Sequence, residues 1–220
     1  MVFRIWITVG LSMATGALGG FFLASGQDSR ERTAPRTWEP PQVSSLLQLP
    51  AFPWKVLSSP HARKVNLWTT ADGRLSRYSV VVDKAALPDW VPAMADARLG
   101  RGPDLECEIE LYPDGSEVYE IYRKIDGRER QLSVKADRSL YYVGAEQDPG
   151  KLPDAVAAAI RGLKDVVVEH CLLKEGPQVA EYHLRASVEK APCRIRVSKD
   201  GTLLAVQRKI PGEVEVPLKP

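Results

Sequence analysis

The 220-residue chain is poor in the residues that usually carry chemistry. It has three cysteines, Cys107, Cys171 and Cys193, and three histidines, His61, His170 and His183. No Gly-x-Ser-x-Gly elbow, His-Glu-x-x-His pair, Walker loop or Gly-x-Gly-x-x-Gly turn is written in it. Neither is there a run of five like charges: 30 basic and 28 acidic residues leave a net charge of +2. That balance excludes a dedicated nucleic-acid binder, which needs a concentrated basic face to displace counterions. So few histidines and cysteines give no zinc spacing, because His170 and Cys171 are neighbours in a strand and point to opposite faces. The expectation is a non-enzyme with no cofactor, no metal and no catalytic residue.

The first 26 residues stand apart. Ile5 to Gly26 is 22 residues without a charged side chain, after a start that carries Arg4. As a helix it would span about 33 Å, enough for a bilayer core. Small residues at Ala24-Ser25-Gly26 would suit a signal peptidase instead. Both readings make the protein exported, periplasmic or extracellular, with membrane contact only through residues 1–26 if they are retained. Residues 27–53 read as a linker, with Pro35, Pro40, Pro41, Pro50 and Pro53 and no sustained period.

The remaining chain carries an internal echo. Leu87-Pro88-Asp89 matches Leu152-Pro153-Asp154, and Cys107 matches Cys171. Val134 to Leu140 matches Val197 to Leu203, and Asp72-Gly73 begins a partial third copy. Each unit opens as a helix with proline in its first turn, where the missing N–H costs nothing. Strands follow. Leu105, Cys107, Ile109 and Leu111 alternate with Glu106, Glu108 and Glu110, the period of a half-buried strand. Asp126-Gly127 signals a hairpin. Leu132 and Val134 fall on Ile195 and Val197, which sets the apolar face. The other face is polar: Lys64, Asn66 and Trp68, then Gln131 and Ser133, then Arg194 and Arg196.

These motifs resemble the PepSY-like superfamily, which includes β-lactamase-inhibitor-like exported proteins. The matching residues are Leu152-Pro153-Asp154-Ala155-Val156, Ala180-Glu181-Tyr182-His183-Leu184 and Arg196 to Leu203. Unit one departs from them at Pro92 and at Arg138, which replaces the turn glycine. The resemblance implies an α+β fold of tandem helix-plus-antiparallel-sheet units. The divisions are a hairpin at 54–84, unit one at 85–148, unit two at 149–211 and a tail at 212–220. It also implies a protein-binding, inhibitor-like role played by a sheet face.

The polar face therefore supplies the candidate partner-binding residues: Trp68, Glu120, Tyr122, Glu181, His183, Arg185, Arg194 and Arg196. The partner would be another protein. The bland reading is a solvated sheet, with Glu106, Glu108 and Glu110 in water, surface histidines and reduced core cysteines. Were there a disulfide, Cys171–Cys193 would be the pair. The alternative function is a structural or sensory envelope domain that holds a small ligand or metal. The two readings differ in one respect: docking needs Trp68, Tyr122 and Arg185 exposed together, whereas a ligand needs a pocket of convergent polar groups.

Overall fold

A computed structural model describes residues 5–13, 54–57, 59–69 and 75–214, with side chains between 56 and 210. The strand-forming alternation is realised closely. Ten strands follow one another: β2 (Ala62–Thr69), β3 (Leu75–Val82), β4 (Asp104–Leu111), β5 (Glu117–Ile125), β6 (Arg128–Lys135), β7 (Leu140–Gln147), β8 (Val167–Gly176), β9 (Val179–Val188), β10 (Ala191–Ser198) and β11 (Leu203–Val214). Each pairs antiparallel with the next. The sheet curls through a half-barrel. A strand near the N-terminus, β1 (Ile5–Met13), pairs antiparallel with β11 and parallel with β2, which completes a ring.

The turns follow from their residues. Asp126 and Gly127 both take positive φ (50° and 80°), as a two-residue hairpin requires. Arg138 takes φ 69° where the matching turn has Gly201 at 91°. Gly201 has a second constraint, since a Cβ there would lie 2.7 Å from the Ala155 carbonyl oxygen.

Helices are few and short: α1 (Trp54–Leu57), α2 (Trp90–Leu99) and α3 (Asp154–Arg161). Both Leu-Pro-Asp sites do precede helices. Pro92 does not interrupt α2, because it lies in the first turn, where no N–H is used. The helices pack on the outer, apolar face of the sheet. Val91 and Ala95 of α2 join Val80, Cys107, Ile109, Ile121, Leu132 and Val134. Trp90 meets Tyr119 edge to face, with centroids 5.7 Å apart. Val156 and Ile160 of α3 join Cys171, Leu184, Ile195 and Val197. Arg123, 1% exposed, ties α2 to the sheet: it donates to Asp96 Oδ1, the Gly100 carbonyl and Asp104 Oδ1, each at 2.7 Å.

This corrects the expected α+β fold of tandem helix-plus-sheet units. The chain is mainly β and forms one sheet. The boundary near residue 148 divides nothing, since β7 and β8 pair from Val143↔Glu175 to Gln147↔Cys171. The physical reason is the edges. Two separate four-stranded sheets would leave β7 and β8 with unpaired N–H and C=O groups, and joining them removes both edges. Helices of two or three turns then cover only part of the outer face. The curled sheet has nothing specific to the PepSY-like group.

Of the first 26 residues, Ile5–Met13 is a strand in the ring. The rest of that segment, the linker 27–53, the turn at Asp72-Gly73 and most of the tail lie outside the described residues. Among the described residues no helix is long and apolar enough to cross a membrane.

Candidate functional site: a charged lumen

The strands' second face, polar in sequence, points into the barrel. Its residues stand side by side across the ladders: Glu108 opposite Glu120, Glu120 opposite Ser133, Ser133 opposite Tyr142. Curling turns this row toward itself and removes it from water. Glu108, Glu110, Glu120, Gln131 and Ser133 are all buried. The expectation that these glutamates form a solvated face is thereby overturned. The reason is closure: an alternating strand looks the same in sequence whether its polar side meets water or a lumen.

At the centre lies a hydrogen-bonded network. The Tyr142 hydroxyl donates to Glu120 Oε1. It accepts from Lys174 Nζ at 2.6 Å and from Gln131 Nε2 at 3.0 Å. Glu120 Oε2 accepts from Gln131 Nε2 at 2.8 Å and from Tyr122 at 2.9 Å. Lys174 also lies over the Tyr142 ring, 4.2 Å from its centroid. Arg77 pairs with Glu110 at 3.2 Å, and Tyr112 donates to the same carboxylate at 3.0 Å. Two buried oxygens, Gln131 Oε1 and Ser133 Oγ, have no hydrogen-bond partner among the described residues.

Glu108, Glu110 and Glu120 place carboxylate oxygens within 4.8 Å of one another, close enough to hold a cation. Their charge is already answered. Arg77 pairs with Glu110, and Lys174 acts on both Glu110 and Glu120. Burial, then a hydrogen bond to Glu106 and the Glu120 charge, push the Glu108 carboxyl well above its usual range. Two cations, Arg77 and Lys174, thus act within the same cluster. The cluster is held by its own cations and hydrogen bonds, which compete with a divalent ion for the same oxygens.

Toward one end the lumen opens into a cavity of about 280 Å³. Its walls differ in sign. Strands β4 and β6 contribute Glu106, Glu108 and Glu129. Strands β8, β9 and β10 contribute His170, Lys174, His183, Arg185 and Arg194. His170 Nε2 lies 3.5 Å from Glu129 and 3.9 Å from Glu146. Glu181 is the one acid on the basic wall. Arg196 holds it at 2.8 and 3.0 Å, and His183 Nε2 lies 2.8 Å away. Burial would raise the Glu181 carboxyl, but hydrogen bonds from His183 and Arg196 overcome it and hold the pKa at about 2. Burial, then the Lys174 charge, keeps His183 well below the ordinary histidine range, so the imidazole is neutral.

The expected site residues are brought together, though not on an exposed face. Trp68 is 5% exposed, with the Arg77 and Arg194 guanidinium groups 4.4 and 5.6 Å from its ring centroid. Glu120 and Glu181 are buried; Tyr122, His183 and Arg196 are half-buried; Arg185 and Arg194 are exposed at the mouth. The continuous surface of Trp68, Tyr122 and Arg185 that docking requires is therefore broken by burial of the tryptophan. His170 and His183 line the lumen instead of the outer surface. Sequence reasoning missed Arg77, Tyr142 and Lys174. The available signal was the sign of the polar-face positions alone: Glu106, Glu108, Glu110, Glu120 and Glu129 on β4 to β6 against Lys174, Arg185, Arg194 and Arg196 on β8 to β10.

The cysteines belong to the other face. All three are buried without a disulfide. Cys171 and Cys193 lie on β8 and β10 with β9 between them. Burial pushes the Cys107 and Cys171 thiols up to about 11, which suits packing and not nucleophilic attack.

No family model matches this chain, and no curated protein matches it.

Proposed function

We propose that this protein is a non-catalytic binding module whose ligand is a small, charged, water-soluble molecule held inside the barrel. One observation carries the reading: a cavity of about 280 Å³ with carboxylates on one wall and cations on the facing wall. Such walls orient a ligand by its charges, and the low-dielectric barrel strengthens each contact. The reading that a partner protein docks on the sheet has weaker support, because the face it needs is concave and largely closed. The uncharged stretch from Ile5 to Gly26 supports export of the protein from the cytoplasm.

The test is a titration followed at the imidazole NMR signals of His170 and His183. The probes are taurine as a zwitterion, putrescine as a dication, inorganic phosphate as a dianion and glycerol as a neutral control. Saturable shifts with a charged probe, absent with glycerol, support a lumen site. Immobility of both imidazoles with every charged probe at tens of millimolar overturns it.

A further inference from the structure

Arg185 on β9 and Arg194 on β10 stand directly opposite each other in the ladder, on the lumen side. Like charges so placed cost stability. Both line the cavity mouth, and neither makes an ion pair among the described residues. Two more cations come from β11, next to β10, and from β2, beyond β1. Lys209 on β11 borders a narrow slot with Arg194, Asn66 and Trp68. Lys64 lies on the same face of β2 as Asn66 and Trp68, two residues along from Asn66. Neither lysine makes an ion pair among the described residues.

The electrostatics agree with this placement. Burial lowers the Lys209 ammonium, and the charges of Lys64, Arg194 and Arg185 lower it further. One carboxylate, Glu106, acts on Lys209 in the opposite sense. Glu129 on the facing wall feels Arg185. Neither acid comes within ion-pair distance of the four cations. Deeper in the lumen Arg77 pairs with Glu110, Arg196 pairs with Glu181, and Lys174 bonds to Tyr142 and feels the charges of Glu120 and Glu110. At the mouth, by contrast, four cations lie near one another with no ion-paired acid among the described residues. The Arg194 guanidinium lies over the Trp68 ring, 5.6 Å from its centroid.

We propose that Lys64, Arg185, Arg194 and Lys209 form the seat for a doubly charged oxyanion, a phosphate or sulfate group carried by the lumen's ligand. This rests on the lumen reading above and names the chemistry of the ligand's charged end. Two guanidinium forks match the oxygens of a tetrahedral anion, and the ammonium groups add charge. The anion would relieve the repulsion between Arg185 and Arg194. The remainder of the ligand would then point into the cavity, toward Glu106, Glu129 and His170.

The experiment is calorimetry on the full chain with inorganic phosphate, sulfate and acetate at constant ionic strength. Arg194→Gln and Lys209→Gln serve as site variants, and exposed Lys151→Gln as the control. Phosphate and sulfate bind, more tightly than acetate. Each site variant loses about tenfold in affinity, and the control loses none. Equal affinity for acetate overturns the double charge. Binding undiminished in both site variants overturns the location. Failure of phosphate and sulfate while taurine or putrescine still moves the His170 signals overturns this seat alone; failure of every probe overturns the lumen reading with it.

Discussion

Lys174 Nζ on β8 and the Tyr142 hydroxyl on β7 lie 2.6 Å apart, and that hydroxyl donates its own hydrogen bond to Glu120. One phenol thus links a buried ammonium to a buried carboxylate. Tyr142→Phe keeps the ring under Lys174 and removes the link. It should cost about 1–3 kcal/mol, because Lys174 and Glu120 each lose a partner in a low-dielectric site. Urea denaturation measures it, and a change below a few tenths of a kcal/mol would refute the hub.

Glu108 provides a pH-dependent prediction. Its folded carboxyl is raised by burial, so the folded state holds the proton after the unfolded chain has released it. The stability this gives is full below the unfolded value of 4.5 and declines as pH rises toward the folded value. Glu108→Gln mimics the protonated form at every pH. The variant should be more stable than the parent at pH 8, and the difference should shrink toward pH 4. Melting curves across that range would show it; a variant less stable at pH 8 contradicts it.

Glu181 titrates with the opposite sign. Its folded pKa of about 2 lies below the ordinary value of 4.5, so its contribution is present above 4.5 and lost as pH falls through 2. Glu181→Gln should therefore lower stability at neutral pH and flatten the acid limb of the pH profile. An acid limb unchanged by the substitution would show that the Arg196 and His183 bonds do not hold the carboxylate.

On the outer face, Arg123 is the clamp between α2 and the sheet. Arg123→Met removes donors to Asp96, Gly100 and Asp104 and leaves Asp104 partly buried beside Lys84 alone. Loss of a buried charge that answers two carboxylates should cost about 3–5 kcal/mol. Hydrogen exchange should show α2 opening first. Equal protection in parent and variant would assign the helix's hold to Val91 and Ala95 instead.

Particular residues show what could be read from the chain. Leu132, Val134, Ile195 and Val197 alternate with polar neighbours, and all four are fully buried on the face the pattern assigns. Pro88 and Pro153 mark the two helix starts correctly, since proline's constraint is local. Curvature is not local. Whether Glu120 meets water or Tyr142 depends on strands two places away, and period-2 alternation is silent on that. The traces of closure are small: Gly144, where a Cβ would lie 2.9 Å from the Gln131 Cβ, and Gly176, where it would lie 2.0 Å from the Tyr141 carbonyl oxygen. Two glycines amid strand residues mark tight passages, but they do not say which way a sheet bends.

Strand β1 has a consequence for the life of the molecule. The nine residues from Ile5 to Met13 are the stave that shuts the ring between β2 and β11, and they also lie within the stretch that reads as an export address. A segment that is cut away cannot also close the ring. A peptidase cut near Gly26 would leave an open trough, with the long edge of β11 bare and Lys64 and Lys209 on its two lips. An uncut chain keeps the vessel shut. Processing would then decide how freely an anion reaches its seat, and the mass of the mature protein distinguishes trough from ring.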